Sequence, residues 1–299
     1  MKIVVFYYSQ TGQAYNAAQQ IFRRQKTQPI FKEIIPKEHY PFPWRQSEFF
    51  EVFPETRLGI PTSGIQEIDF SDIDDVDIVM VVGQSWFLSP SLPLQAFFTD
   101  SKVKAFLYGK NIIFVNVCRN MWLMTLQAVR RYAAEANAHF IGHIVLQDHA
   151  PNWISAITIV RWMFYGKKTN HILPDAGVAN MDLQTAARFG EIICTHHTGQ
   201  SSLCSPYNSL QEKLNKAGAI VCRPSILFLE RVGYRTFGFW AQFIRNKGEY
   251  KDAKRASRRN LFFAYLIVVL FIISPFAQVL FWITHPLAKR KNAPIFYSQ

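Results

Sequence analysis

The chain has 299 residues, enough for one large or two ordinary domains, and at 49% hydrophobic against 18% charged it is globular or membrane-associated, not disordered. Its formal net charge of +12 raises nucleic acid or an anionic membrane surface as a partner, and the placement of the cations decides between them. Cys118, Cys194, Cys204 and Cys222 show no CxxC spacing and Met1 leads straight into an apolar strand with no signal peptide, so reduced thiols in a cytosolic compartment are expected.

Val4, Val5 and Phe6 form an apolar run of buried-strand type. Ser9, Gln10, Thr11, Gly12 and Gln13 come next as a polar turn. Ala14, Ala17, Ala18, Ile21 and Phe22 then recur on one face of an amphipathic helix. A strand, a Ser/Thr/Gly loop and a helix N-terminus aim backbone N–H groups at one point, which suits an anion and a phosphate best. An ordinary strand-to-helix turn with a Thr cap is the alternative reading of this stretch taken alone.

Pro29–Ile35 reads as a second strand. Pro36–Pro61 is dense in Pro and aromatics and has no clean period. It opens an ordered insertion (residues 36–70) that either walls a pocket or packs on the surface. Val76–Gly83 is a buried strand, Gln84–Pro93 a loop, and a helix begins near Leu94. Asn111–Val117 is the next strand and Cys118–Asn120 a polar loop. Trp122, Leu126, Val129, Ala133 and Ala136 have helical spacing, and His139–Leu146 is a fifth strand. A second insertion (150–180) contains Trp153–Tyr165, whose one charge is Arg161. It is too short to span a bilayer. It reads either as a core helix or as an apolar surface that shapes a lipid pocket or touches a membrane. Asp182–Cys194 is a helix with Leu183, Ala186, Ala187, Gly190 and Ile193 on one face.

Strands alternating with helices predict an α/β fold with a doubly wound, parallel five-stranded sheet. Ligands in such sheets sit at the carboxyl ends of the strands. Three loops leave those ends and supply the candidate cofactor contacts. The first offers Ser9, Gln10, Thr11, Gly12, Gln13 and Ala14. The second offers Gln84, Ser85, Trp86 and Phe87, and the third Asn116, Val117, Cys118, Arg119 and Asn120. A phosphate cradle beside aromatic rings suits FMN.

Here the chain resembles the flavodoxin-like superfamily: Ser9–Ala14 is similar to its phosphate loop, with Ala14 where a hydroxyl is usual, and Gly83–Trp86 to its ring-flanking loop. The resemblance implies the strand order 2-1-3-4-5. YYSQTGQ, PFPWRQSEFFEVFPE, WFLSPSLP, CRNMW and the C-terminal hydrophobic segment together resemble the dialkylresorcinol condensing enzyme (DarA-like) family along nearly the whole chain. That resemblance implies an FMN-dependent aromatase. It would oxidise a dialkyl cyclohexane-1,3-dione, made by a partner ketosynthase, to a 2,5-dialkylresorcinol.

An FMN domain is therefore expected over 1–200 and an extension over 201–245. Within the extension, Phe237, Trp240, Ala241 and Ile244 form an interfacial or sheet-docked helix. A basic-flanked membrane segment is expected over 246–299. Leu261–Thr284 has no charge and, as one helix, would be ~36 Å long. Ser274-Pro275 interrupts it, and Lys and Arg flank both ends, with Lys289, Arg290 and Lys291 after it. A re-entrant hairpin on the cytoplasmic face of the cell membrane satisfies both features. A single span and a soluble buried hairpin are the alternatives. The cations thus point to anionic lipid head groups and away from nucleic acid.

For the chemistry, Arg119 is the candidate to hold an enolate oxygen, and Asp148 or His149 the candidate base. Each has a structural reading as well, as salt bridge, cap or exposed side chain. Cys118 either touches the flavin or is a buried structural thiol. His196 and His197 lack a second ligand pair at metal spacing, so no metal is assigned. A membrane-tethered NAD(P)H or quinone oxidoreductase and a non-catalytic flavin electron carrier are the other functional readings. A deep pocket walled by Trp44, Phe49, Phe50 and Trp162 would favour the lipid-like substrate.

Overall fold

The computed structural model describes residues 1–169, 172–196 and 206–273, together with 276, 277, 279, 280 and 283. The strands of the main sheet are β1 (Ile3–Tyr7), β2 (Ile30–Glu33), β3 (Ile78–Trp86), β5 (Asn111–Cys118) and β6 (His139–Gln147). They are all parallel, in the order β2-β1-β3-β5-β6. Counted within that sheet, the order is the expected 2-1-3-4-5 of the flavodoxin-like fold. A two-residue strand, β4 (Ser89–Pro90), folds back antiparallel on the end of β3.

These strands are runs of β-branched and aromatic residues because both faces of the sheet are covered. Along β1, Val4 and Phe6 face one core and Ile3 and Val5 the other. The first core is closed by α4 (Leu92–Thr99), α5 (Ser101–Leu107) and α6 (Leu123–Glu135). The second is closed by α1 (Gln13–Phe22), α8 (Asn180–Thr185), α9 (Ala187–Cys194) and α10 (Pro206–Lys216). The single helix expected over Asp182–Cys194 is thus two short ones. Gly190 is required where α9 crosses α1, since a Cβ there would lie 2.0 Å from the Ile21 carbonyl oxygen.

The first insertion contains α2 (Gln46–Glu51) and α3 (Phe53–Leu58), and the second α7 (Asn152–Tyr165). Beyond the sheet, α11 (Pro224–Arg245) packs on α3 and α6. The chain then turns back through α12 (Ala256–Val268) and a π-helical turn, Val269–Ile273. The Phe53 and Phe262 rings stack at 3.8 Å, joining α12 to the first insertion. Ala253–Ile273 runs 21 residues and contains an 18-residue window of mean hydropathy 1.7 in which few residues are buried, although Arg255 and Phe262 within the run are fully covered. By length and composition it is long and apolar enough to cross a membrane, ~31 Å at 1.5 Å per residue. Ser274-Pro275 and Lys289, Arg290 and Lys291, on which the hairpin expectation turned, lie outside the described residues, as do Cys204 and His197.

Candidate functional site

At the carboxyl end of β1 the chain leaves the sheet and enters α1 through Gly12, whose φ of 77° is left-handed. A Cβ there would touch nothing, so backbone conformation alone asks for glycine. Ser9 Oγ accepts the Tyr15 N–H at 3.1 Å. The N–H groups of Thr11, Gly12, Gln13 and Ala14 make no hydrogen bond among the described residues. They mark the positive end of α1, the arrangement that binds a phosphate elsewhere. The side chains do other work. Ala14 is buried under the sheet. Gln13 clamps the second insertion, donating from Nε2 to the Val178 carbonyl at 3.0 Å and accepting the Val178 N–H at 3.3 Å.

Gln10 gathers three segments. Its Nε2 donates to the Pro41 carbonyl at 2.9 Å, and its Oε1 accepts from Trp44 Nε1 and Gln84 Nε2, each at 3.3 Å. The first insertion is thereby hydrogen-bonded to the first and second loops. The Gln84–Pro93 loop proves to be a tight hairpin. Phe87 (φ 48°) and Leu88 (φ 64°) are the central pair between β3 and β4, in the left-handed conformation that such turns normally reserve for Asn and Gly. Each non-glycine residue there costs ~1–2 kcal/mol. Packing offsets the strain: Phe87 lies 4.6 Å from Phe49 and 5.0 Å from Phe53, ring centre to ring centre. Trp86 is buried edge-on to Tyr8, Tyr40 and Trp44.

These pieces enclose a cleft of about 240 Å3 at the carboxyl ends of β1, β3 and β5. Gln10, Thr11, Gln13, Gln84, Ser85 and Arg119 supply its polar lining, with Trp86, Phe87, Val117 and Cys118 beside them. The insertions supply the apolar wall: Phe42, Trp44 and Phe49 from the first, Ile159, Trp162 and Met163 from the second. Of the expected wall residues Trp44, Phe49 and Trp162 line the cleft, while Phe50 turns away and packs on Phe262 and Phe263. Phe42, Ile159 and Met163 were not anticipated. Their signal was only the aromatic density of 40–53 and the apolar run of 153–165.

The third loop divides. Arg119 lines the cleft and is anchored by donating from Nη1 to the Asn152 carbonyl at 3.1 Å. Desolvation lowers its pKa to about 10, against the raising effect of Asp148, so it remains a cation at neutral pH. Burial pushes the Cys118 thiol up, which makes it a poor nucleophile. Asn116 and Asn120 do not line the cleft. Asn116 Oδ1 accepts from Ser85 Oγ at 3.1 Å, and Asn120 donates to Asn152 Oδ1 at 2.9 Å. Both pin strand ends and insertions.

The two base candidates also lie outside the cleft. Asp148 is buried with both carboxylate oxygens occupied, by the Ala150 N–H at 2.8 Å and Ser155 Oγ at 2.6 Å. It closes the turn into α7. His149 is exposed, 3.7 Å from Asp182 and 3.3 Å from Arg223. Among the described residues none that lines the cleft is a carboxylate or an imidazole. Behind the third loop, fully buried Glu230 of α11 accepts the Met124 N–H at 2.8 Å and so caps α6. Burial raises its pKa to about 7. Nothing local marked Glu230; it is a lone acid on a long apolar and basic helix.

No protein-family model matches the chain, and no curated protein matches it. Among solved structures it is similar to a flavoprotein in complex with FMN from Lactobacillus acidophilus NCFM, at 15% identity and a TM-score of 0.39, over 48% of this chain and 92% of that one. It is also similar to a flavodoxin, WrbA-like protein from Agrobacterium tumefaciens (14% identity, TM-score 0.39, 66% of this chain and 99% of that one). A third is the two-electron reduced flavodoxin of Megasphaera elsdenii (15% identity, TM-score 0.32, 48% and 84%). On its own strand order, and with helices on both faces of the sheet, the chain has the flavodoxin-like fold.

Proposed function

We propose that this chain is an FMN-dependent oxidoreductase of the membrane surface that aromatises a dialkyl cyclohexane-1,3-dione to a 2,5-dialkylresorcinol. The supporting observation is a juxtaposition in one cleft. Thr11 and Gln13 at the start of α1, where N–H groups are unpaired among the described residues, an aromatic and aliphatic wall, and Arg119 all line it. The N–H groups of Thr11–Ala14 suit the FMN phosphate, and Trp86 and Phe87 the isoalloxazine edge. Bound there, FMN supplies a two-electron acceptor for the hydride leaving the ring carbon β to a carbonyl.

The chain's own residues do the rest. Arg119 holds the enolate oxygen of the dione, which such acidic diones present at neutral pH. Phe42, Trp44, Phe49, Ile159 and Met163 take the alkyl chains out of water. With no carboxylate or imidazole among the described residues that line the cleft, the proton lost from the α carbon passes to solvent at the mouth. Substrate thus becomes resorcinol by loss of one hydride and one proton. The dione is supplied by a ketosynthase, and the protein is held at the cytoplasmic face of the cell membrane by its C-terminal apolar segment, from Ala253–Ile273 onward.

The test is direct. The purified protein should be yellow and release FMN on denaturation, and anaerobic addition of a dialkyl cyclohexane-1,3-dione should bleach the flavin and yield the resorcinol. A protein that binds no FMN sinks the proposal. Bleaching by NAD(P)H and not by the dione would select the reductase reading instead. A bound flavin that neither substrate bleaches would select the electron carrier.

A further inference from the structure

The second insertion carries an apolar face that the cleft does not use. On α7, Ile159, Trp162 and Met163 point into the cleft. Trp153, Ile157 and Tyr165 lie on the outer side and are 52%, 37% and 71% exposed. At 3.6 residues per turn they fall within an arc of about 120° on the helix surface, an arc that also holds Arg161. A helix that is apolar on both sides belongs in a core or in a membrane. This one is a wall one helix thick, with the cleft on its inner side and Trp153, Ile157 and Tyr165 left partly open on its outer side, while Phe164 near its C-terminal end packs on Phe49.

Two observations say what covers it. Charge is the first: between Asp148 and Asp175 the chain has no acidic residue, while Arg161, Lys167 and Lys168 sit in and just after the last turns of α7. Trp and Tyr at the rim of an apolar stripe, with cations beside them, are the composition of a helix lying in an anionic lipid surface. Position is the second. α7 touches the π-helical turn Val269–Ile273, the last part of the membrane-length helix, where Phe271, Ile272 and Ile273 are themselves exposed. The cleft reaches the same helix from inside. Phe49 of the cleft wall packs on Phe50 at 5.2 Å, and Phe50 on Phe263 of α12 at 5.2 Å. If α12 enters a bilayer, α7 meets its surface.

We infer that α7 is a second membrane-contact element, seated on anionic lipid through Trp153, Ile157 and Tyr165, so that the apolar half of the cleft opens against the bilayer. The membrane contact rests on the membrane reading of α12 above and not on the flavin. Its consequence, that a long-chain substrate enters and leaves through the lipid, rests in addition on the dione reading.

The experiment uses the full chain in phosphatidylcholine vesicles containing phosphatidylglycerol. Nitroxide labels are placed by Trp153→Cys and, as a reference, by Tyr108→Cys. Tyr108 is 69% exposed and lies at the opposite, amino-terminal edge of the sheet. The unsubstituted protein, labelled in parallel, gives the signal of its native cysteines. At residue 153 the ratio of oxygen to nickel-chelate accessibility should be several-fold higher than at residue 108. A label at 153 as open to the nickel chelate as that at 108 overturns the inference. So does a label shielded from both reagents, which would mean a second copy or another protein covers the face. A protein that fails to float with the vesicles at all overturns the membrane reading first, and this inference with it.

Discussion

Glu55→Gln should loosen the wall of the cleft from a distance. Glu55 lies in α3 and is fully buried, and Arg255 at the start of α12 is fully buried against it. The pair is bidentate, Nη1 to Oε1 at 2.8 Å and Nη2 to Oε2 at 2.9 Å, and Arg245 of α11 adds a third contact at 3.1 Å. Arg255 Nη2 also reaches the Glu51 carbonyl at 3.2 Å, and Glu51 pairs with Arg259. The cluster joins the first insertion, which carries Trp44 and Phe49, to α11 and α12. Neutralising Glu55 removes the bidentate partner of the buried Arg255 guanidinium and leaves it only Glu51, 3.4 Å from its Nε, as counter-charge; breaking a buried pair costs ~3–5 kcal/mol. Against a total stability of ~5–15 kcal/mol that is a large fraction. At ~2–4 °C per kcal/mol it corresponds to a melting point lower by ~6–20 °C. The assay is thermal unfolding of the detergent-solubilised chain followed by tryptophan fluorescence. The double variant Glu55→Leu/Arg255→Met removes both charges and fills the space, so it should recover most of the loss. A Glu55→Gln protein melting within about 2 °C of the unsubstituted chain would refute the reasoning. So would a double variant as damaged as the sum of its two singles.

Arg119→Met should leave FMN bound and lower turnover of the dione by ~10²–10³-fold, the usual cost of removing one charge-stabilising donor; steady-state kinetics check it. Glu230→Gln should change how stability depends on pH. Burial raises the carboxyl to about 7, while an unfolded Glu titrates near ~4.3. Between those values the folded chain holds a proton that the unfolded chain has lost, so stability falls as pH rises through the window, by on the order of 3 kcal/mol. Denaturant midpoints at about pH 5 and about pH 8 should differ for the unsubstituted chain and converge for the variant, whose amide oxygen still accepts the Met124 N–H.

The sheet and the loops at its carboxyl edge are legible in the linear chain because their signals are local. Buried parallel strands are runs such as Ile78–Val82, and the strand-loop-helix at Val4–Ala18 carries its own glycine. The hairpin at Phe87 and Leu88 is not legible. Its turn type normally announces itself by Asn-Gly, and here Phe87 holds it through contacts with α2 and α3. The insertion helices α2 and α3 have six residues each, too short to show a period. They are held by partners some 200 residues away, Arg255 above all.

Asp148 and Arg119 show the same division within the site. Their positions at the carboxyl ends of β5 and β6 follow from the alternation of strands and helices, which the hydrophobic pattern shows. Their directions do not. Asp148 turns to the Ala150 N–H and the Ser155 hydroxyl, while Arg119, tied to the Asn152 carbonyl, faces the cleft. Both choices depend on where the second insertion lands. By itself the sequence determined the α/β sheet, the three loops at its carboxyl edge and the apolar segment at the C-terminal end, because each depends on neighbours in the chain. Only the tertiary structure decided which of those edge residues share a cleft and which serve as caps. Side-chain direction at a loop is set by whichever distant backbone group leaves a hydrogen bond to satisfy.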